Sequence, residues 1–487
     1  KYYIISANFA PVGRMTCARA DNVYGPYETV TISAMETMGE KDFTRLDYTD
    51  QYKQLPPKGT EFKIFPPNGN IHGATPLHQG GIVTAPDGTW WGFSMTDFHS
   101  VGRTVCISPV TWVDGWPYFG LPGNLGRTPR TWDKPVQGHE ACAPYERSDN
   151  FDGKKLKPVW QWNHNPDPKH AGLHRGRLRI DAQQATDLLH ARNTLTQRVI
   201  GPQSAATVEL YLGGLKDGDE AGIGFLNIPY ASLGVVRSGK DYIVRRYTQD
   251  GNSATDLDTL PAGTKKIYLR AYGTFDRDLG NFAYSLDGKA FHASGSDIVL
   301  PYQLKTFQGT RYALYAFREA DGKGGYAEFD NYELDEPMAD RSANLPVGKL
   351  IRLTNKADGS RAWANPHGML HYAGKGSGHY DSDGTLFRVH DRGRGRVALE
   401  AMNGTGFITV VGAGLSADVR LMPEERGEAS QFVWQDMLRG DCMLLSPATQ
   451  RYVAIEPGTG APYSADSPGC RPDRADGSVF TFSIVEP

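Results

Sequence analysis

The stretch LHQGGIVTAPDGTWWGFSMTDFHSVGRTVCIS, residues 77–108, gathers side chains that can do chemistry at the ends of consecutive short strands. His78 and Gln79 stand before the pair Gly80-Gly81, Trp90 and Trp91 follow a PDG turn, and Asp97, Phe98, His99 and Arg103 cluster around the next turn. A carboxylate accepts hydrogen bonds, and a guanidinium supplies several donors in fixed geometry. An indole offers a flat apolar face with one polar edge. Adjacent residues of a strand point to opposite faces, so at most one of Trp90 and Trp91 meets a ligand and the other belongs to a core. Each residue has a structural alternative: Asp97 as a solvated turn carboxylate, Arg103 in an ion pair between sheets, and His78 satisfied by water and backbone.

The elements that must position these residues are short strands bounded by Gly, Pro, Asn and Asp. Residues 1–34 give YYIISANF, RMTCARA, a GPY turn and ETVTISA, whereas residues 35–76, with PPKG and PPNGN, read as a long loop or insertion. Strands resume at GGIVTA, TWWGFSM, TVCISPVTW and WPYFG, the pattern of four-stranded antiparallel blades in a β-propeller. The chain opens inside a strand pattern, KYYIISANF, which leads us to expect further structure upstream. LPGNLGRTPRTWDKP, residues 121–135, reads as a linker packed on another unit.

From Ser148 the texture changes to regularly recurring alternating strands such as TVELYLGGL, KKIYLRAYG and RYALYAFRE, which fit a two-sheet sandwich over residues 146–336. The last segment, 346–487, repeats three times. Phe387, Phe432 and Phe480 are spaced 45 and 48 residues apart, Trp363, Phe407 and Tyr452 are spaced 44 and 45, and Ile351, Val397 and Met443 are spaced 46 twice. Copies this short cannot each bury a core, so they must close on one another, which predicts a β-trefoil. The fold class is all-β.

Composition narrows function. A formal net charge of -3 over 487 residues gives no electrostatic reason to expect nucleic acid or an acidic membrane surface. No apolar run approaches the ~20 residues of a membrane span. Five cysteines are too few for a disulfide scaffold; Cys17, Cys106 and Cys142 lack CxxC spacing, and Cys442 and Cys470 can pair in an oxidising compartment. The sequon Asn403-Gly404-Thr405 matters only in a secretory eukaryotic context.

YYIISANFAPVGRMTCARADNVYGPYE, HQGGIVTAPDGTWWGF and VGRTVCISPVTWVDGWPYFG resemble, in order, the late blades of glycoside hydrolase family 43. DNFDGKKLKPVWQWNHNPD and AEFDNYEL resemble the concanavalin-A-like sandwich that follows the propeller in its β-xylosidase-like members. The terminal repeats are similar to fascin-like and arabinofuranose-binding trefoils. The resemblance implies a partial five-bladed propeller over 1–135. It also implies a secreted, extracellular or periplasmic hydrolase: an inverting β-xylosidase or α-L-arabinofuranosidase acting on xylan, arabinoxylan or arabinan oligosaccharides. The alternative is a non-catalytic, lectin-like carbohydrate-binding polypeptide.

Such hydrolases use an acid and a base with room for water between them, and a further Asp that tunes the acid. The resemblance places all three upstream of Lys1, so no catalytic residue is assigned here; either the missing blades exist as another segment, or residues 1–135 are not a propeller. Glu36, Asp97 and Glu140 are the carboxyl groups nearest the strands in question. Asp97 suits a hydroxyl acceptor or an orienting group better than a proton donor. Arg103, in VGRT, matches an arginine that reaches the substrate pocket in the family, with Trp91 and Phe98 as further substrate contacts. His78 matches a histidine near the propeller axis beside a bound calcium, although calcium needs six to eight oxygens. Asp152 and Asp330, at the two ends of the sandwich, share a second calcium or form Asx-turns. The WQWNHNPD loop narrows the pocket or seals the domain interface, and His371, Tyr372 and Tyr463 are candidate sugar contacts of the trefoil.

Overall fold

Alternation of apolar and polar residues produces strands almost throughout a computed structural model of the protein. The model describes residues 1–8, 14–33, 78–126, 128–129, 131–136, 138, 145–300, 306, 308–338, 344–413, 416–437, 440–467, 469 and 477–486. Cys142, Cys470, Glu36 and Glu140 lie outside them, as do the side chains of His78, Asp97, Phe98 and His99.

The first unit is two antiparallel sheets. Strands β1 (Tyr2–Asn8), β2 (Arg14–Ala20) and β3 (Glu28–Ser33) make one. Strands β4 (His78–Thr84), β5 (Trp90–Phe98), β6 (Gly102–Val113), β7 (Trp116–Leu121) and β8 (Asn124–Leu125) make the other. Their facing sides enclose Met15, Cys17, Val30 and Ile32 from one sheet and Val110, Trp116 and Phe119 from the other. Gly92 is required here, since a Cβ would lie 1.9 Å from Phe119 Cε1. Arg19 ties the sheets by lying 3.9 Å over the Trp116 ring and donating to the Asp114 carbonyl at 2.6 Å.

Among the described residues, the outward faces of both sheets expose large apolar side chains. Register sets Val83 opposite Trp91, Phe93 opposite Ile107 and Met95 opposite Val105, on the side of the second sheet away from the first. Val105 is 79% exposed and Ile107 64%, and Tyr2 and Ile4 are similarly exposed on the first sheet. A sheet normally buries such a face against another layer.

The sandwich consists of two sheets of eight strands each. Strand Lys266–Thr274 shows the strict two-residue burial period that a sheet with one packed face demands. Val208, Leu210, Leu269 and Phe282 from one sheet meet Ile223, Phe225, Leu233 and Leu314 from the other, all fully buried. Trp160 of the WQWN loop is buried in this core and donates its indole N–H to Asp149 at 2.8 Å, so this tryptophan is interior packing of the sandwich, while the residues that follow it in the loop are exposed or half-buried.

In the last unit six strands pair in a closed ring: Leu350–Asn355, Phe387–Asp391, Arg396–Ala401, Phe432–Asp436, Asp441–Leu445 and Phe480–Val485. Three hairpins, beginning at Arg361, Gly406 and Tyr452, pair with the ring strands at its edge. The repeated phenylalanines Phe387, Phe432 and Phe480 each open a ring strand and are buried. The predicted linker lies on this unit. Leu121 and Trp132 pack on Val433, Met437, Met443 and Leu445 of the ring, Arg396 pairs with Asp133 at 2.9 Å, and Arg451 donates to the Gly123 carbonyl at 2.8 Å.

Candidate active-site strand end

Three strands of the five-stranded sheet meet at one end, because β4 begins at His78, β5 ends at Phe98 and β6 begins at Gly102. Antiparallel register puts Asp97 directly opposite Arg103 and Phe98 opposite Gly102, while His78 stands opposite Met95. The fold therefore brings His78, Asp97, Phe98 and Arg103 to one sheet end. A register shift between His78 and Gly80 marks a bulge there, and a Cβ on Gly80 would lie 1.9 Å from the Phe93 carbonyl oxygen. Bulges re-aim the side chains beside them, which suits a site at a strand end. The Arg103 side chain is partly buried and engaged by a partner.

Trp91 does not join this group. It sits six residues from Asp97 on the same strand, about 20 Å away at strand rise, and its indole N–H is bonded to Thr89 Oγ1 in its own hairpin at 2.9 Å. Trp90 is the core member of the pair, packed edge-on against Trp112 with centroids 5.1 Å apart.

The turn joining β5 to β6 is a 3₁₀ turn, His99–Val101, and it is seated on the sandwich. Ser100 is fully buried. Its amide donates to Asp278 Oδ1 at 2.6 Å, its hydroxyl donates to the Phe275 carbonyl at 3.2 Å, and its own carbonyl accepts from the Thr310 amide at 2.7 Å. Val101 packs against the sandwich core, and Gly102 and Gly309 approach so closely that a Cβ on Gly309 would lie 1.8 Å from the Val101 carbonyl oxygen. Sequence reasoning missed this seat, since Ser100 and Asp278 lie 178 residues apart.

The remaining expected sites divide. The terminal strands of the sandwich do lie side by side, through the bridge between Asp149 and Tyr332. Asp330, however, pairs with Arg177 at 3.5 Å, and Asp152 accepts from Asn150 at 3.0 Å. Among the described residues no three His, Cys, Asp or Glu side chains converge as a metal site, and these local contacts engage the Asp152 and Asp330 carboxylates. In the closed three-fold unit His371 and Tyr372 are partly exposed and stack at 4.8 Å, while Trp363 stacks on His379 at 4.3 Å. Tyr463 is only 1% exposed within the core, which removes it as a ligand contact. No helix among the described residues is long and apolar enough to cross a membrane.

Comparison with known proteins places the sandwich. Residues 148–335 match the family model of the beta xylosidase C-terminal concanavalin A-like domain. A putative beta-xylosidase of Xylanibacter ruminicola is 27% identical over 300 residues, 61% of this chain and 49% of that protein. A beta-xylosidase of Formosa agariphila is 27% identical over 322 residues, 57% of this chain and 51% of that protein. Among solved structures, the bifunctional GH43-CE protein of Bacteroides eggerthii is 28% identical with a TM-score of 0.55, covering 73% of this chain and 43% of its own. A xylan beta-1,4-xylosidase from Bacillus halodurans shares the fold with a TM-score of 0.54 at 19% identity, over 69% of this chain and 63% of its own. These matches relate the chain to glycoside hydrolase family 43, and the chain spans about half the length of the curated relatives it matches.

Proposed function

We propose that this relative of glycoside hydrolase family 43 contributes to a β-xylosidase or α-L-arabinofuranosidase that cleaves xylan, arabinoxylan or arabinan oligosaccharides with inversion. The observation that carries the reading is the sheet end where His78, Asp97, Phe98 and Arg103 assemble, mounted directly on a sandwich of the β-xylosidase type. An inverting hydrolase needs two carboxyl groups with water between them. Of the residues assigned to this strand end only Asp97 carries one, and the reading takes the acid and base from further propeller blades. The apolar side chains exposed among the described residues around Val105 and Ile107, and around Tyr2 and Ile4, offer surfaces for such blades to cover.

In this arrangement Arg103 donates to sugar hydroxyls, and the field of its charge favours the ionised form of a neighbouring carboxyl group. Asp97 accepts from a hydroxyl and Phe98 forms part of the wall. His78 has the position of an axial histidine, and no step here runs through calcium. The closed three-fold unit reads as a β-trefoil module presenting His371 and Tyr372 to pentose polymer. The reading puts the protein outside the cytoplasm, extracellular or periplasmic, where such glycans are met as polymers.

The test is Arg103→Ala in the complete protein. Losing a charged hydrogen bond costs about 1.5–3 kcal/mol, so kcat/KM on an aryl pentoside should fall roughly ten- to a hundredfold with the melting temperature nearly unchanged. A lowered melting temperature with normal kinetics would assign Arg103 to an ion pair between sheets. If the complete protein binds pentose oligosaccharides without cleaving them, the lectin-like reading replaces the enzymatic one.

A further inference from the structure

We infer that the sandwich is a positioning element for the substrate-binding strand end, acting through Asp278, Ser100 and the Gly102–Gly309 contact. The inference rests on the reading of Arg103 as a substrate contact. A β-hairpin tip ordinarily lies free on a surface, and its conformation is then set by its own turn alone. The β5–β6 tip does not lie free. Every backbone polar group of Ser100, and its hydroxyl, is spent on the sandwich: the amide on Asp278 Oδ1, the hydroxyl on the Phe275 carbonyl and the carbonyl on the Thr310 amide. Val101 is inserted against the sandwich core between these bonds and Gly102.

The partners are themselves built for this contact. Asp278 occupies the left-handed region, with φ of 56°, at the end of a 3₁₀ turn, Phe275–Arg277, and its own carbonyl accepts from Leu300 at 2.7 Å. Its carboxylate is thereby aimed by a fixed backbone rather than by a free loop. Gly102 also takes a positive φ, 87°, and a Cβ on it would lie 2.5 Å from the Gly309 amide nitrogen. Two backbones thus touch with no side chain between them, one residue before Arg103. A shift of the sandwich at this seat moves the start of β6, and with it both Arg103 and the register that sets Asp97 opposite it. Asp278 and Gly309 touch no substrate in this arrangement; they act through the strand end.

The test uses three variants of the complete protein. Asp278→Gly keeps the positive φ and removes the acceptor, whereas Asp278→Asn keeps both an acceptor oxygen and tolerance of that φ. Gly309→Ala drives a methyl group into the seat. Hydrogen–deuterium exchange of residues 94–106 reads the seat itself, and KM and kcat on an aryl pentoside read its effect on substrate. We expect Asp278→Gly and Gly309→Ala to speed exchange in that segment and lower kcat/KM roughly ten- to a hundredfold through misplacement. Asp278→Asn should stay near wild type, and the sandwich should melt at its usual temperature in all three. Unchanged exchange in both disruptive variants overturns the inference, as does faster exchange with normal kcat/KM where Arg103→Ala is impaired. A loss of activity that tracks sandwich melting and is not rescued by Asp278→Asn also overturns it. If Arg103→Ala itself has normal kinetics, the substrate-site reading fails instead, and exchange still reports whether the seat fixes the strand.

Discussion

Separating residues 346–487 from the rest of the chain should leave a unit that folds cooperatively but melts well below its temperature in the intact protein. The closed ring supplies its own core, with Ile351, Phe387, Val397, Phe432 and Phe480 buried, so folding alone is expected. What separation removes is the cover over Val433, Met437, Met443 and Leu445, which Leu121 and Trp132 provide. Burial of a Leu side chain contributes about 1.5–3 kcal/mol, and the half-buried Trp132 adds a comparable amount. The hydrogen bonds of Gly123 with Gln450 and Arg451, at 3.0 and 2.8 Å, contribute about 1 kcal/mol each. The partly exposed Arg396–Asp133 pair adds less than about 1 kcal/mol after solvent screening. The lost interface is then worth roughly 5–9 kcal/mol, which for a unit of this size corresponds to roughly 15–30 °C. Calorimetry of the separated unit and of the intact chain measures the difference, and Leu121→Ala in the intact chain should reproduce part of it. Equal melting temperatures would refute the reasoning, because the base would then gain nothing from its cover.

Two further predictions follow from single side chains. Glu220 accepts from the buried Tyr315 hydroxyl at 2.8 Å, and burial raises its pKa above the usual carboxyl value despite the opposing charge of Arg245. Its neutral form is therefore favoured by the fold, and stability present at low pH is lost as pH rises through the raised pKa. Glu220→Gln should match wild type in melting temperature below the usual carboxyl pKa and exceed it once the pH has risen above that value; a difference independent of pH would sink this. In the three-fold unit, Tyr372→Ala should weaken retention on immobilised arabinoxylan roughly fivefold to tenfold, the worth of one aromatic contact, with only a modest drop in melting temperature from its lost packing on the core; unchanged retention would remove that face as the ligand site.

The sequence showed its repeats more clearly than its sites, for a physical reason. Ring closure places one residue type at equivalent points of three copies, so Phe387, Phe432 and Phe480 advertise their role by spacing. Tyr463 was misjudged because a single aromatic carries no sign of whether the copy it belongs to turns it inward. The place of Trp160 was equally hidden, since a Trp-rich loop reads alike whether its rings line a pocket, seal an interface or fill a core. For Trp91 the two-residue period gives the face of a strand but not which end of it approaches a ligand, and the tryptophan lies at the wrong end. The seat of Ser100 on Asp278 was illegible altogether, because it depends on two turns of unremarkable composition meeting across a domain boundary.

The sandwich and the three-fold unit both grip the same five-stranded sheet, and on the function proposed above this bears on how a polymer would be bound. The sandwich holds the tip between β5 and β6, whereas the three-fold unit holds the end of β7 and the strap that follows it. Neither contact resembles a flexible tether: one buries Ser100 completely, and the other covers a ring base with Leu121. On the reading proposed above, a chain bound at Tyr372 meets the strand end at one fixed distance and direction. Binding at the second point then becomes intramolecular, but only for oligosaccharides long enough to span that distance. A rigid mount loses the adaptability of a tether and gains from a matching ligand, since little orientational freedom remains to be lost. Long arabinoxylan should therefore benefit from the three-fold unit while an aryl pentoside should not. Tyr372→Ala would raise KM for the polymer and leave the small substrate untouched, and an equal effect on both would show that the two points do not act on one chain.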